Sequence, residues 1–149
     1  MKDNFGFKGH VTIEKVSANG KRELIEVSNT TMNVGKSQVT SLMTGDVAGG
    51  TAFDYMAIGT GSDTIIATDT ALGTESYREA ATGTQQTSGT TNDTMRLIGS
   101  FTADGTKVIN EAGIFNAAST GSMFARTCFA DQSMGSEDNL NITWDSTIN

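Results

Sequence analysis

Between Leu140 and Ile148 the chain alternates: Leu140, Ile142, Trp144 and Ile148 fall on one side, and Asn141, Thr143, Asp145 and Thr147 on the other. A helix repeats its faces about every 3.6 residues, so a period of two belongs to a strand with one face in a core and one in water. The N-terminus follows the same rule, with Phe5, Phe7, Val11 and Ile13 opposed to Lys8, His10, Thr12 and Glu14. Both ends of the chain are therefore expected in sheets.

The first strand runs into Ala18-Asn19-Gly20 and a second strand over 21–27, the pattern of a hairpin whose three-residue loop ends in a left-handed glycine. A two-residue loop would set Ile13 against Glu26. The three-residue loop sets Ile13 against Ile25, Val11 against Val27 and Lys15 against Glu23, matching apolar with apolar and opposite charges with each other. One short helix is expected over 36–44, with Val39, Leu42 and Met43 on one side and Gly45 as its stop. Residues 46–51 read as a connector, and 53–59 as a central strand, apolar on both faces. Asp69 has the character of a cap for one helical turn through Leu72.

Residues 82–94 are nearly all small and polar, which fits an exposed Thr-rich loop or a solvated edge strand. Beyond it Met95, Leu97 and Phe101 share a face, Asp104-Gly105 turns the chain, and strands follow over 108–115 and 123–129. Short strands, frequent turns, little helix and no βαβ alternation predict an all-β fold. The expected architecture is a single-domain β-sandwich of jelly-roll type over residues 1–149 with one short helix. Residues 1–30 would form an N-terminal hairpin or arm able to reach a neighbouring subunit.

At 149 residues one core is attainable, since folding removes roughly 70% of the exposed surface at this length. The net charge of −7 opposes binding to phosphate backbones and anionic lipid, so neither nucleic acid nor membrane is expected as a partner. No apolar run reaches the roughly 18–20 residues of a membrane span, and Met1 to His10 lacks the apolar stretch of a signal peptide. A soluble protein made in the cytosol is the expectation. A single cysteine, Cys128, precludes an intrachain disulfide, leaving packing, strand pairing and association to supply stability.

The familiar chemical signatures are incomplete. His10 is the only histidine and sits on the polar side of a strand, which removes multi-histidine metal sites and leaves a catalytic triad a single, solvated candidate base. Cys128 reads as a small buried hydrophobe. Gly35-Lys36-Ser37 resembles the end of a phosphate loop, but Thr30 stands where its first glycine belongs. After Gly59-Thr60-Gly61 the third glycine of a dinucleotide fingerprint would fall on Thr64. Asp63, Asp69 and Asp104 lack calcium-loop spacing and read as solvated loop acids. No catalytic residue, metal site or cofactor is expected, and a non-enzymatic role follows.

Five segments occur in order: Met56-Ala57-Ile58-Gly59-Thr60-Gly61; Asp69 to Glu75 with Arg78; Glu111-Ala112-Gly113-Ile114-Phe115-Asn116; Met123-Phe124-Ala125-Arg126 with Phe129; and Ile142-Thr143-Trp144. Together, over about residues 5–148, they resemble a recurrent module of tailed-bacteriophage virion proteins. Its members are small β-rich head decoration or cement proteins, and a related pattern opens tail-collar fibre proteins. The resemblance implies assembly: a decoration protein on the outer capsid surface of a virion, made in the host cytoplasm. Its partners would be the major capsid protein and neighbouring copies of itself, with a homotrimer as one arrangement. A tail fibre or baseplate component is the alternative, and a carbohydrate-binding module the alternative of another class.

The motif residues have structural roles that need no ligand. Gly59, Gly61 and Gly113 would allow tight backbone passage, Leu72 would plug the core, and Trp144 would lie on the core face of the last strand. Glu75, Arg78, Glu111 and Arg126 would form an ionic network docking loop on sheet. Within it Glu111 is expected to pair with Arg78 or Arg126.

Overall fold

The computed structural model describes residues 6–45, 51–61 and 63–149. Among the described residues ten strands and one helix run in the order β1 (Phe7–Val16), β2 (Arg22–Val27), β3 (Thr30–Thr31), α1 (Asn33–Thr44), β4 (Tyr55–Gly59), β5 (Glu75–Ala80), β6 (Thr82–Gln86), β7 (Thr94–Thr102), β8 (Lys107–Phe115), β9 (Met123–Met134) and β10 (Asn139–Ile148). They form two five-stranded sheets, β2-β1-β10-β7-β6 and β3-β9-β8-β4-β5, and the strand pairs are antiparallel. The fold is the all-β sandwich with one short helix that the alternation predicts.

The two terminal strands pair with each other along their whole length, Phe7 opposite Ile148 and Val16 opposite Asn139. Residues from 7 onward are thus built into the first sheet rather than extended as an arm; Phe5 lies outside the described residues. The β1–β2 hairpin has the predicted register, with Ile13 opposite Ile25, Val11 opposite Val27 and Lys15 opposite Glu23, and Gly20 takes φ +86° at the end of its loop.

The main core lies between the sheets. Val11, Ile13, Leu97, Phe101, Leu140, Ile142 and Trp144 come from the first sheet; Met56, Ile58, Ile109, Ala112, Ile114 and Phe124 come from the second. The Trp144 ring is fully buried, and its indole N–H donates to Asn29 Oδ1 at 3.0 Å. Asn29→Ala leaves that donor with no partner, and we expect a loss of about 1–3 kcal/mol in chemical denaturation, without change in the far-ultraviolet spectrum. An unchanged midpoint would show that this bond carries no stability.

A second, smaller apolar cluster sits on the outer face of the second sheet, where Leu72 packs on Met32, Ala57, Phe115 and Met123. Strand β8 is consequently buried on both faces from Glu111 to Phe115, because the chain between β4 and β5 folds back over it.

The helix departs from expectation in two ways. It begins at Asn33, three residues early, and Leu42 and Met43 are 42% and 76% exposed rather than buried. Its contact with β9 is made through Gly35: a Cβ there would lie 2.6 Å from the Phe124 Cα, so helix and strand touch backbone to backbone. Gly45 closes the helix with φ +69°, as predicted. No helical turn forms around Asp69; its N–H instead donates to the Ile66 carbonyl, and its carboxylate accepts from the Ile66 N–H. Of the 46–51 connector, residues 46–50 lie outside the described residues. In the Thr-rich segment, residues 82–86 form edge strand β6.

Candidate functional site: a loop clamped to the second sheet

The middle of the second sheet offers its outer face as a floor of small residues. Register places Gly59 opposite Glu111 and Ala57 opposite Gly113, and Gly113 in turn opposite Arg126. Without side chains at Gly59 and Gly113 the covering chain can approach closely. A Cβ at Gly59 would lie 2.1 Å from the Thr74 carbonyl oxygen, and one at Gly113 would lie 3.0 Å from Leu72 Cδ2.

Arg126 holds this cover in place. Its Nε and Nη2 donate to Glu111 Oε2 at 3.1 and 2.7 Å. Nη1 donates to Asp63 Oδ2 and Asp69 Oδ2 at 3.1 and 2.9 Å, and Nη2 to Asp63 Oδ1 at 3.2 Å. Glu111 uses its other oxygen to accept the Thr74 backbone N–H at 3.1 Å. Arg126 is 1% exposed and Glu111 0%. Glu111 of β8 and Asp63 and Asp69 of the covering loop therefore converge on one guanidinium from β9, and Thr74 at the loop's far end joins through Glu111; the guanidinium fork matches carboxylates and is never deprotonated.

Neutral bonds continue the clamp. Asn110 Oδ1 accepts from the Gly61 N–H at 2.8 Å, the Thr60 hydroxyl donates to the Val108 carbonyl at 2.6 Å, and the Thr60 N–H donates to the Thr74 carbonyl at 2.9 Å.

Arg78 forms a separate centre. It makes a two-pronged pair with Glu75 at 3.0 and 2.6 Å, donates to the Ala117 and Thr120 carbonyls, and lies over the Phe115 ring with its guanidinium carbon 3.6 Å from the centroid. This pins edge strand β5 to the β8–β9 turn. The four charged motif residues are therefore two distinct ion pairs on one sheet face, with Glu111 choosing Arg126. Gly59, Gly61, Leu72, Glu75, Arg78, Glu111, Gly113 and Arg126 all belong to this face and its cover; Trp144 stands apart, in the main core of the other sheet.

Asp63 and Asp69 are corrections to the sequence analysis. Their side chains are 59% and 16% exposed, yet both ligate Arg126 rather than standing free in water. Asp69 and Asn110 carried no local signal, because their partners lie 57 and 49 residues away. Cys128 is also less enclosed than expected: it is half-buried, and desolvation raises its thiol above the ordinary value. His10 is solvent-facing as predicted, 3.8 Å from Glu26.

The clamp shapes its own electrostatics. Hydrogen bonding to Asp63, then to Glu111 and Asp69, pushes Arg126 above its ordinary value against desolvation, and Arg126 in turn holds Asp63 below the usual carboxylate range. Four further carboxyls are lowered elsewhere among the described residues, one of them Glu23, which accepts from the Lys21 ammonium. Asp93 accepts the N–H groups of Thr90, Ser88 and Gly89; Asp104 meets the Tyr77 hydroxyl and Lys107; Asp138 accepts from Gly135 and Ala18. A carboxyl whose folded value is below its unfolded value of about 3.9 stabilises above that pH, and the contribution disappears as pH falls through the folded value. The melting temperature should therefore be level from about pH 7 to 5 and fall below about pH 4. Stability that rises on acidification would contradict these assignments.

All five N–H donors of Arg126 face carboxylates, so none is available to a ligand. Among the described residues no group of three or more His, Cys, Asp or Glu is arranged to hold a metal ion, and no helix is long and apolar enough to cross a membrane. The arrangement fastens a loop. In comparisons with known proteins no family model matches the chain, and no curated protein and no solved structure matches it.

Proposed function

We propose that the chain is a non-enzymatic structural subunit of a tailed-phage particle, a decoration protein that binds the outer surface of the capsid shell and clamps neighbouring copies of the major capsid protein. The observation that supports this is spatial convergence. Motif segments spread from Ala57 to Arg126, whose order resembles the virion module, meet on one face of the second sheet, where the charged residues satisfy one another in two ion-pair centres. A set of residues spent on rigidifying a sandwich suits a protein whose task is to present a fixed surface.

A ligand that binds only the assembled shell stabilises it by mass action, about 2.7 kcal/mol per site at a hundredfold excess over Kd. Purified protein mixed with shells lacking it should co-sediment with them and raise their melting temperature. With few charges on the chain, binding should persist at moderate salt. Failure to co-sediment at any concentration would remove the capsid assignment.

A further inference from the structure

A cavity of about 470 Å³ opens between the two sheets beside α1, walled by Phe53 and Phe124, by Phe7, Met95 and Ile148 of the first sheet, and by Val39 of the helix. Its volume and its largely apolar wall are those of a small-molecule site. Ring packing orders the wall: Phe7 meets Phe124 edge-on, with centroids 5.2 Å apart at 86°, and the Phe53 and Phe124 centroids are 5.0 Å apart. Leu42 and Met43 of the helix also line it, and with Ile148 they are exposed, so the mouth is apolar too.

One buried polar side chain interrupts this wall. Register sets Ser146 opposite Gly9 and Met95, and Ile148 opposite Phe7. Facing residues of an antiparallel pair project from the same side of the sheet, so Ser146 points into the cavity together with Met95, Ile148 and Phe7. Ser146 is 2% exposed, and its Oγ has no hydrogen-bond partner. Along the same face of β10, Leu140, Ile142 and Trp144 fill the equivalent places with apolar groups, and an unpaired hydroxyl is costly there. Gln38 Oε1 is the other such atom among the described residues, and Gln38 does not line this cavity. The nearby Thr94 hydroxyl is already bonded to Asp93 and Thr147.

We propose that this cavity binds a small neutral amphiphile, a hydrocarbon body bearing one hydroxyl or carbonyl oxygen that pairs with Ser146 Oγ. A serine hydroxyl both donates and accepts, so either group satisfies it. The phenylalanine and methionine wall calls for the hydrocarbon. Neutrality follows from the charges: among the described lining residues there is no Lys, Arg or His, and the one carboxylate, Asp93, opposes an anion. That carboxylate is no cation holder either, because it already accepts the N–H groups of Ser88, Gly89 and Thr90. A protein segment is a poorer occupant, since each of its peptide units would bring a donor and an acceptor to a wall that offers one hydroxyl. The inference is independent of the virion role, and its test uses no shells.

The probes are para-ethylphenol, ethylbenzene and para-ethylbenzoate, which share one body and differ in carrying a hydroxyl, no polar group or a negative charge. Calorimetric titration of the whole chain should show saturable binding of para-ethylphenol, weaker binding of ethylbenzene and none of para-ethylbenzoate, and methyl NMR signals of Met95 and Ile148 should shift with the phenol. Ser146→Ala should weaken para-ethylphenol about tenfold, the worth of one hydrogen bond, and leave ethylbenzene unchanged. The same variant should melt at or above the parent temperature, because it removes an unpaired buried hydroxyl. No saturation by para-ethylphenol overturns the proposal, as do equal affinities of parent and Ser146→Ala, binding of para-ethylbenzoate as tight as that of the phenol, or shifts confined to methyls outside the cavity. A Ser146→Ala variant that melts lower would assign the hydroxyl to the fold and overturn it as well. A dimer in sedimentation equilibrium whose Leu42 and Ile148 methyls shift on dilution, with no response to the phenol, would give the mouth to a second copy, again overturning the proposal.

Discussion

Replacing Arg126 with methionine should lower the unfolding free energy by about 3–5 kcal/mol, the cost of stranding one partner of a buried ion pair. Methionine fills much of the same volume, so the loss is electrostatic. Glu111, 0% exposed, would keep only the Thr74 N–H, and a carboxylate without a counter-charge in that position must be desolvated at full cost or protonated. Asp63 can turn to water, being 59% exposed. Glu111→Gln alone should be milder, because Arg126 retains Asp63 and Asp69, and the Gln oxygen can still accept the Thr74 N–H. Adding Glu111→Gln to Arg126→Met should recover part of the loss, since the buried charge is then gone. Chemical denaturation of the three variants decides this. A double variant no more stable than Arg126→Met would mean that packing, rather than charge, holds the loop.

Gly59→Ala should cost about 3 kcal/mol or more, at or beyond the usual upper end for overpacking. The added methyl meets backbone, the Thr74 oxygen at 2.1 Å and the Glu75 Cα at 3.0 Å, so no side-chain rotation relieves it. The β5 edge must move, and with it the Thr60 N–H to Thr74 carbonyl bond. At Gly61 the nearest atoms are the ends of the Glu111 and Arg126 side chains, so Gly61→Ala should act by displacing the ion pair. Gly105, with nothing within 4 Å of its added Cβ, is the control and should stay within about 0.5 kcal/mol of the parent. Thermal unfolding that ranks Gly59→Ala with Gly105→Ala would show that the loop does not sit against β4 as described.

What could be read from the sequence was local. The β1–β2 register followed from loop length and the matching of Ile13 with Ile25, both determined within twenty residues. The alternation of β10 is visible in the chain because one face of that strand meets the core and the other water. The docking of the loop on the second sheet was only partly legible. That Glu111 needs a cation follows from its place beside an apolar run, but the choice of Arg126 over Arg78 is made by the β8–β9 register, which brings the former within bonding distance.

Asp63 and Asp69 looked solvated because their sequence neighbours are small and polar; the group they bind arrives from β9. The helix misled for a related reason. Leu42 and Met43 have helical spacing, yet the approach through Gly35 orients α1 so that both are exposed.

The most direct test of the decoration role is the copy number of this chain in purified particles, measured against the major capsid protein by quantitative mass spectrometry. Decoration predicts a fixed ratio of about one chain to every one to few capsid subunits, because the binding site repeats with the lattice of the shell. About six to a few dozen copies per particle, the numbers set by a ring or fibre set rather than by the shell, or absence from the particle, would contradict it.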